Sequence, residues 1–335
     1  MTNIQWTAFP GGPLECAGLP WLDENLPDLW RLPRRAASSL PAGVRRQLCF
    51  PAGARLRLRS DTSELRLRVR CIPESSATGL DIYVDGRFWR TAPVTAEGEV
   101  VCFEGAGREP KEVTAYLPLR HELQVAAYGM DADATCKEPE SAIRDRPLVL
   151  YGSSVAQGIG TARPGLGYAS ILGRLLDIDH VNLGFGGAGK AEPEVVHLVS
   201  QIDACCYLLD LGKSYGRQSS GAYTAMLAAL CRARPGTPIV CITPIFSSRE
   251  SSNGEYMDLS RHTRAVVREA VAEPVAEGET QIYLAEGETL LSREDSDGLS
   301  GDGVHPNDLG HSLIAERLRA TVEEALESAG NLMRR

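Results

Sequence analysis

The feature that most constrains this fold is a change of hydrophobic rhythm before the chain's midpoint. Up to about residue 128, apolar and polar residues alternate; from residue 147, short apolar runs alternate with helical stretches. Arg55-Leu-Arg-Leu-Arg59 and Glu64-Leu-Arg-Leu-Arg-Val-Arg-Cys71 put Leu56, Leu58, Leu65, Leu67, Val69 and Cys71 on buried faces. The arginines between them face solvent, as expected of half-buried strands with a period of two. Further short runs follow at Leu80–Val84, Arg87–Thr91, Glu99–Phe103, Val113–Leu117 and Leu123–Tyr128, and Asp85-Gly86 reads as a hairpin turn. Regular short strands without a convincing helix predict an all-β sandwich.

Residues 129–146 break the pattern. Asp131, Asp133, Glu138, Glu140, Arg144 and Asp145 interrupt any apolar face, and Pro139 and Pro147 flank them. Beyond lie apolar runs at Leu148–Tyr151, His180–Leu183, Cys205–Leu211 and Ile239–Ile242, with a weaker one at Gln281–Leu284. Helical stretches fall near 166–176, 191–201, 219–233 and 256–272. A last helix from near Asp308 puts Ile314, Leu318, Val322 and Leu326 on one face. Such alternation implies a parallel sheet covered on both faces. The expected organisation is an N-terminal extension packing on the body (1–40), a β-sandwich (41–140) and an α/β domain (147–330).

Composition removes several functions. A net charge of -9 over 335 residues argues against a nucleic-acid surface. No apolar run approaches the ~20 residues of a membrane helix, and the first residues lack a basic and an apolar signal region. Nine scattered cysteines lack the paired spacing of a zinc site, and Cys205-Cys206 reads as buried strand. Neither a metal nor a cofactor is expected, and the compartment implied is the reducing cytoplasm. A homo-oligomer is compatible with the sequence, which requires none.

Two stretches carry chemistry. The run Leu148–Tyr151 ends on Gly152-Ser153-Ser154, presenting a hydroxyl at the carboxyl end of a sheet, where open α/β folds bind ligands. In Ser300-Gly-Asp-Gly-Val-His-Pro-Asn-Asp-Leu-Gly310, Asp302 and His305 lie three apart on a glycine-rich loop before the last helix. A serine nucleophile needs a base, and the base needs a carboxylate to fix its tautomer. Asp-x-x-His supplies both.

These blocks together resemble the SGNH (GDSL-like) hydrolases, a resemblance covering most of residues 40–328. It implies a flavodoxin-like three-layer domain with Ser154 as nucleophile, His305 as base and Asp302 as its partner. In Asn182-Leu-Gly-Phe-Gly-Gly-Ala-Gly-Lys190 the implied oxyanion glycine is Gly187. In Tyr207-Leu-Leu-Asp-Leu-Gly-Lys-Ser-Tyr215, Ser214 stands where the family has asparagine. Serine also donates a hydrogen bond, from a shorter arm, and losing one oxyanion donor typically costs ~10²–10³ in rate. Gly79-Leu-Asp-Ile-Tyr83 is similar to the Gly-x-Asp-Leu-Tyr signature of a jelly-roll-like sandwich that precedes some such domains. The resemblance leaves the first forty residues unexplained.

The implied function is acyl-ester hydrolysis, as an esterase or deacetylase of a small metabolite or carbohydrate. An acyltransferase with a metabolite acceptor is the alternative, and a binding protein with an impaired site is a third reading. A competing motif, Gly184-Phe-Gly-Gly-Ala-Gly-Lys190, fits a phosphate loop but continues with Ala191 where Ser or Thr would hold magnesium. His121, His180, His197, His262 and His311 read as structural or solvent-facing, and Lys190, Lys213 and Arg217 as solvated loop charges.

Overall fold

The structure, a computed structural model, describes residues 3–72, 78–94, 97–139, 146–276 and 278–330. Two compact units emerge. The first holds the described residues of Met1–Ala37, Gln47–Ala142 and Arg163–Gly165; the second holds those of Ser38–Arg46, Ile143–Ala162 and Leu166–Arg335. Glu140, Arg144 and Asp145 of the composition break, and the side chain of Cys71, lie outside what is described.

The first unit contains β1 (Ile4–Ala8), β2 (Glu15–Ala17), β3 (Arg55–Ser60), β4 (Leu65–Ile72) and β5 (Thr78–Val84). It continues with β6 (Arg87–Val94), β7 (Gly98–Phe103), β8 (Lys111–Tyr116), β9 (Glu122–Asp131) and β10 (Cys136–Lys137). One sheet runs β1-β9-β4-β7 and the other β10-β3-β8-β5-β6, with β2 on β3. Leu65, Leu67, Val69 and Val125 from the first meet Leu56, Leu58, Ile82 and Val113 from the second in one apolar cluster, which makes the pair a sandwich. Truncating a wholly buried residue such as Leu67 to alanine costs about 2–5 kcal/mol. Asp85 and Gly86 both take positive φ, 47° and 72°, as the hairpin between β5 and β6 requires.

Two details depart from the sequence reading. Arg68 and Arg70 face solvent and Arg57, Arg59 and Arg66 are half-buried, but Arg55 is buried, at the end of β3 where Ala17 of β2 and Tyr116 of β8 flank it. Its guanidinium donates to the Gly53 carbonyl, and burial pulls its pKa down to about 10. The first residues also supply β1 and β2 directly to the two sheets, and Trp6 on β1 lies under the Arg68 guanidinium at 3.9 Å. Within the Gly79–Tyr83 stretch, Asp81 is fully buried. It accepts from Thr91 Oγ1 (2.7 Å), the Gly165 N–H (2.8 Å) and Arg163 (3.0 Å).

The second unit opens, after the short helix α2 (Ala42–Arg45; α1, Leu22–Asn25, belongs to the first unit), with β11 (Leu148–Gly152). Then come α3 (Ser154–Gln157), α4 (Tyr168–Leu176), β12 (His180–Gly184), α5 (Pro193–Val199), β13 (Cys206–Asp210) and α6 (Ser220–Ala233). It closes with β14 (Ile239–Ile242), α7 (Gly254–Ala276), β15 (Ile282–Ala285), α8 (Gly287–Leu290) and α9 (Asp308–Ser328). The strands pair in parallel in the order β12-β11-β13-β14-β15, the flavodoxin-like order. Right-handed crossovers put α4 and α9 on one face and α5, α6 and α7 on the other, consistent with the packing of α4 on α9 and of α6 on α5 and α7. Ile314, Leu318, Val322 and Leu326 of α9 are buried in the sheet core. The chain steps from β11 outward to β12 and then back across to β13, so the order reverses at the carboxyl end of β11. Ligands bind such sheets at that point. Among the described residues, no helix is long and apolar enough to cross a membrane.

Candidate active site

All five residues of β11 are buried, and the strand ends where Gly152 lies beside Asp210 of β13. A Cβ on Gly152 would stand 2.0 Å from the Asp210 carbonyl oxygen, so only glycine lets the strands stay paired there. The Ser153 N–H then bonds that same carbonyl at 3.0 Å, and Ser154 starts the short helix α3, which Gly158 ends in the left-handed region (φ 98°). Ser154 is thereby held, half-buried, just beyond the sheet's switch point.

His305 and Asp302 reach it from the loop before α9. Gly303 (φ 68°) bends that loop, the Ser300 N–H bonds the His305 carbonyl at 2.8 Å, and Asn307 caps α9. His305 Nε2 lies 2.9 Å from Ser154 Oγ, and His305 Nδ1 lies 2.5 Å from Asp302 Oδ2. The second Asp302 oxygen accepts the N–H groups of Val304 (2.8 Å) and His305 (3.0 Å) and the Ser300 hydroxyl (3.0 Å). Partial burial pushes this carboxyl upward in pKa, but the His305 bonds, the Val304 N–H and the Ser300 hydroxyl outweigh it. The group is held well below the usual carboxylate range. An ionised carboxylate on Nδ1 leaves Nε2 free to take the serine proton.

The structure therefore brings Ser154, His305 and Asp302 into one relay. Gly187 lies on the loop after β12, exposed, with φ 70° and open space where a Cβ would be. That loop is fastened to α3: Gln157, buried, accepts the Gly186 N–H at 2.9 Å, and Asn182 Nδ2 donates to the Ala156 carbonyl at 2.9 Å. Ser214 lies in the turn Gly212–Tyr215 after β13, half-buried, its hydroxyl without a hydrogen-bond partner among the described residues. The Gly184–Lys190 stretch is not arranged as a phosphate cradle. The Lys190 N–H is taken by Glu192 Oε2, which also accepts from Tyr151, and α5 begins only at Pro193.

One charge differs from the sequence reading. Lys213 is not a solvated loop charge: its side chain is only 11% exposed and pairs with Glu250. Asp210, at the end of β13, is buried with the Tyr168 hydroxyl on it at 3.0 Å. Burial pushes its pKa up to about 6, against the opposing pull of Tyr168 and Lys213. His311 is buried and stacked on Tyr168, and burial lowers it to about 4, so it stays neutral and structural. Local sequence offers no signal for Lys213 or Asp210, because their partners lie 37 and 42 residues away. A cavity of about 920 Å³ opens between α5 and α6. Its lining includes Lys190, Pro193, Val196, Tyr215, Arg217 and Met226, residues that follow closely on Gly187 and Ser214 or belong to the two helices.

Comparison with known proteins places these features in a family. The sequence matches the model of the GDSL-like lipase/acylhydrolase family over residues 145–323, more than half of the chain. The fold is similar to a protein described as a GDSL-like lipase from Bacteroides ovatus (25% identity, TM-score 0.80, covering 97% of this chain and 98% of that one). It is also similar to the salicylyl-acyltransferase SsfX3 from a tetracycline biosynthetic pathway (22%, 0.84, 96% and 97%). A third likeness is to a family two carbohydrate esterase from Clostridium thermocellum solved with cellohexaose (18%, 0.66, 82% and 93%). No curated protein matches the chain.

Proposed function

Since the chain belongs to the GDSL-like lipase/acylhydrolase family, we propose that it cleaves acyl esters of a small metabolite or carbohydrate with Ser154 as nucleophile. The observation that carries this reading is the relay of 2.9 Å and 2.5 Å from Ser154 through His305 to Asp302. Ser154 Oγ attacks the ester carbonyl while its proton passes to His305 Nε2. The tetrahedral oxyanion is held by the N–H groups of Ser154 and Gly187, with Ser214 contributing its hydroxyl. As the carbon–oxygen bond to the leaving alcohol breaks, His305 returns the proton to that alcohol, leaving an acyl-serine. Water, deprotonated by His305, then releases the acid and restores the serine.

The acyl-enzyme is equally open to an alcohol or amine acceptor, which makes the chain an acyltransferase. Ser214 favours keeping this second reading, because a shorter oxyanion donor slows the chemistry. Among the described residues no cysteine is in a disulfide, which fits the reducing cytoplasm we assign to the protein. The test is turnover of acetyl and longer acyl esters by the purified chain, with and without added alcohol acceptors. Hydrolysis abolished by Ser154→Ala supports the serine mechanism, and an ester product formed at the expense of free acid selects the transferase. Equal turnover by the Ser154→Ala protein contradicts both.

A further inference from the structure

Lys213 immediately precedes Ser214 in the turn Gly212–Tyr215. A lysine beside a strand end ordinarily carries its ammonium out to water. Here Nζ donates to the Ile245 carbonyl at 2.6 Å and pairs with Glu250 Oε1 at 3.3 Å. Glu250 is buried and accepts two bonds from Arg264, at 2.9 and 3.0 Å, and one from the Ser247 N–H at 3.1 Å. Arg264, 4% exposed, is anchored in turn on the carbonyls of Pro244 (2.9 Å) and Ile245 (3.1 Å).

The segment that carries Glu250 also grips the loop of the base. Ser247 Oγ (2.6 Å) and the Ser248 N–H (3.0 Å) both donate to the Gly303 carbonyl, and Arg249 Nε donates to the Asp302 carbonyl at 3.1 Å. One continuous set of bonds thus runs from the turn of Ser214, through residues 244–250, to the loop of Asp302 and His305. Holding Lys213 there is costly. Burial above all lowers its pKa to about 8, with Glu250 resisting and Arg264 adding to the fall. Glu250 already has a two-pronged partner in Arg264, so the fold does not need a second cation.

We propose that Lys213 is a positioning residue, holding the turn of Ser214 in register with the Asp302–His305 loop so that oxyanion donor and base address the same carbonyl. This rests on the serine mechanism proposed above. Misplacing such a group by about 1 Å can cost ~10² in rate.

The test measures kcat, KM and Tm with p-nitrophenyl acetate for the full chain, Lys213→Met, Lys213→Arg, Ser214→Ala and the double variant Lys213→Met/Ser214→Ala. Lys213→Met is expected to lower kcat about 10–100-fold while KM stays within about threefold and Tm does not fall. Lys213→Arg recovers part of kcat, and the double variant is no worse than the poorer single variant, because both changes act through one donor. The proposal is overturned if Lys213→Met keeps kcat within about twofold, or lowers it by the same factor with and without Ser214. It is also overturned if Lys213→Met melts below the assay temperature, since the lysine then serves the fold. A folded wild type without turnover removes the serine mechanism itself, and this role with it.

Discussion

Each unit buries an aspartate where a strand ends, and the two are handled in opposite ways. Asp131 closes β9 of the sandwich; its Oδ2 accepts the Ser63 N–H and hydroxyl, the Thr62 hydroxyl and Arg108. Burial pushes its pKa up, but those donors win and the net shift is downward, even with Oδ1 unpaired among the described residues. Asp210 closes β13 of the parallel sheet and receives the Tyr168 hydroxyl; there burial wins, and the carboxyl rises to about 6. The sandwich buries this charge only together with enough donors to close a turn. The parallel sheet gives its charge fewer donors among the described residues, beside the switch point where Ser154 also stands.

The sharpest way to break this comparison is to remove the proposed nucleophile. Ser154→Ala should lower kcat by about 10⁴ or more with Tm unchanged, and a large loss of Tm instead would make Ser154 a structural residue like those of the sandwich. Asp302→Asn comes next, with kcat down about 10³–10⁴, because the amide no longer fixes the His305 tautomer. Smaller effects are expected at Ser214: Ser214→Asn raises ester hydrolysis and Ser214→Ala lowers it, each by up to about 10². No change in either variant would place Ser214 outside the oxyanion hole.

The smallest effects contrast the two aspartates directly by thermal melting across pH. Asp210 has a folded pKa of about 6 against 3.8 in the unfolded chain, so its contribution is fully present below the unfolded value and lost as pH rises through 6. Asp210→Asn should match wild type near pH 4 and exceed it at pH 8, by up to about 3 kcal/mol at about 1.4 kcal/mol per pH unit of difference. Asp131, with its pKa lowered, contributes above the unfolded value and loses that contribution as pH falls through the folded one. Asp131→Asn should therefore melt below wild type at neutral pH, the gap closing at acid pH. Identical pH trends for the two variants would remove the contrast.

What was legible in the sequence was local. Alternation in Arg55–Arg59 and Glu64–Cys71 announced β3 and β4, Asp85-Gly86 the hairpin, and the apolar runs all five strands of the parallel sheet. Asp302 and His305 were readable because three residues separate them, and Ser154 because a strand ends just before it. The edge strand β1 was not read, and the three-residue β2 is too short to show a period. The burial of Arg55, whose strand neighbours Ala17 and Tyr116 lie far away in the chain, was hidden too. Lys213, Glu250 and Arg264 meet only after the chain has folded across β14 and α7, and no spacing rule joins residues so far apart.

The central claim is that Ser154 is activated by His305. Its most direct measurement is labelling of the purified chain with a fluorophosphonate, followed by peptide mass mapping, with His305→Ala alongside. The account predicts labelling at Ser154 in the wild type that disappears in the variant. No labelling of the folded wild type, or labelling that persists at Ser154 without His305, would contradict it.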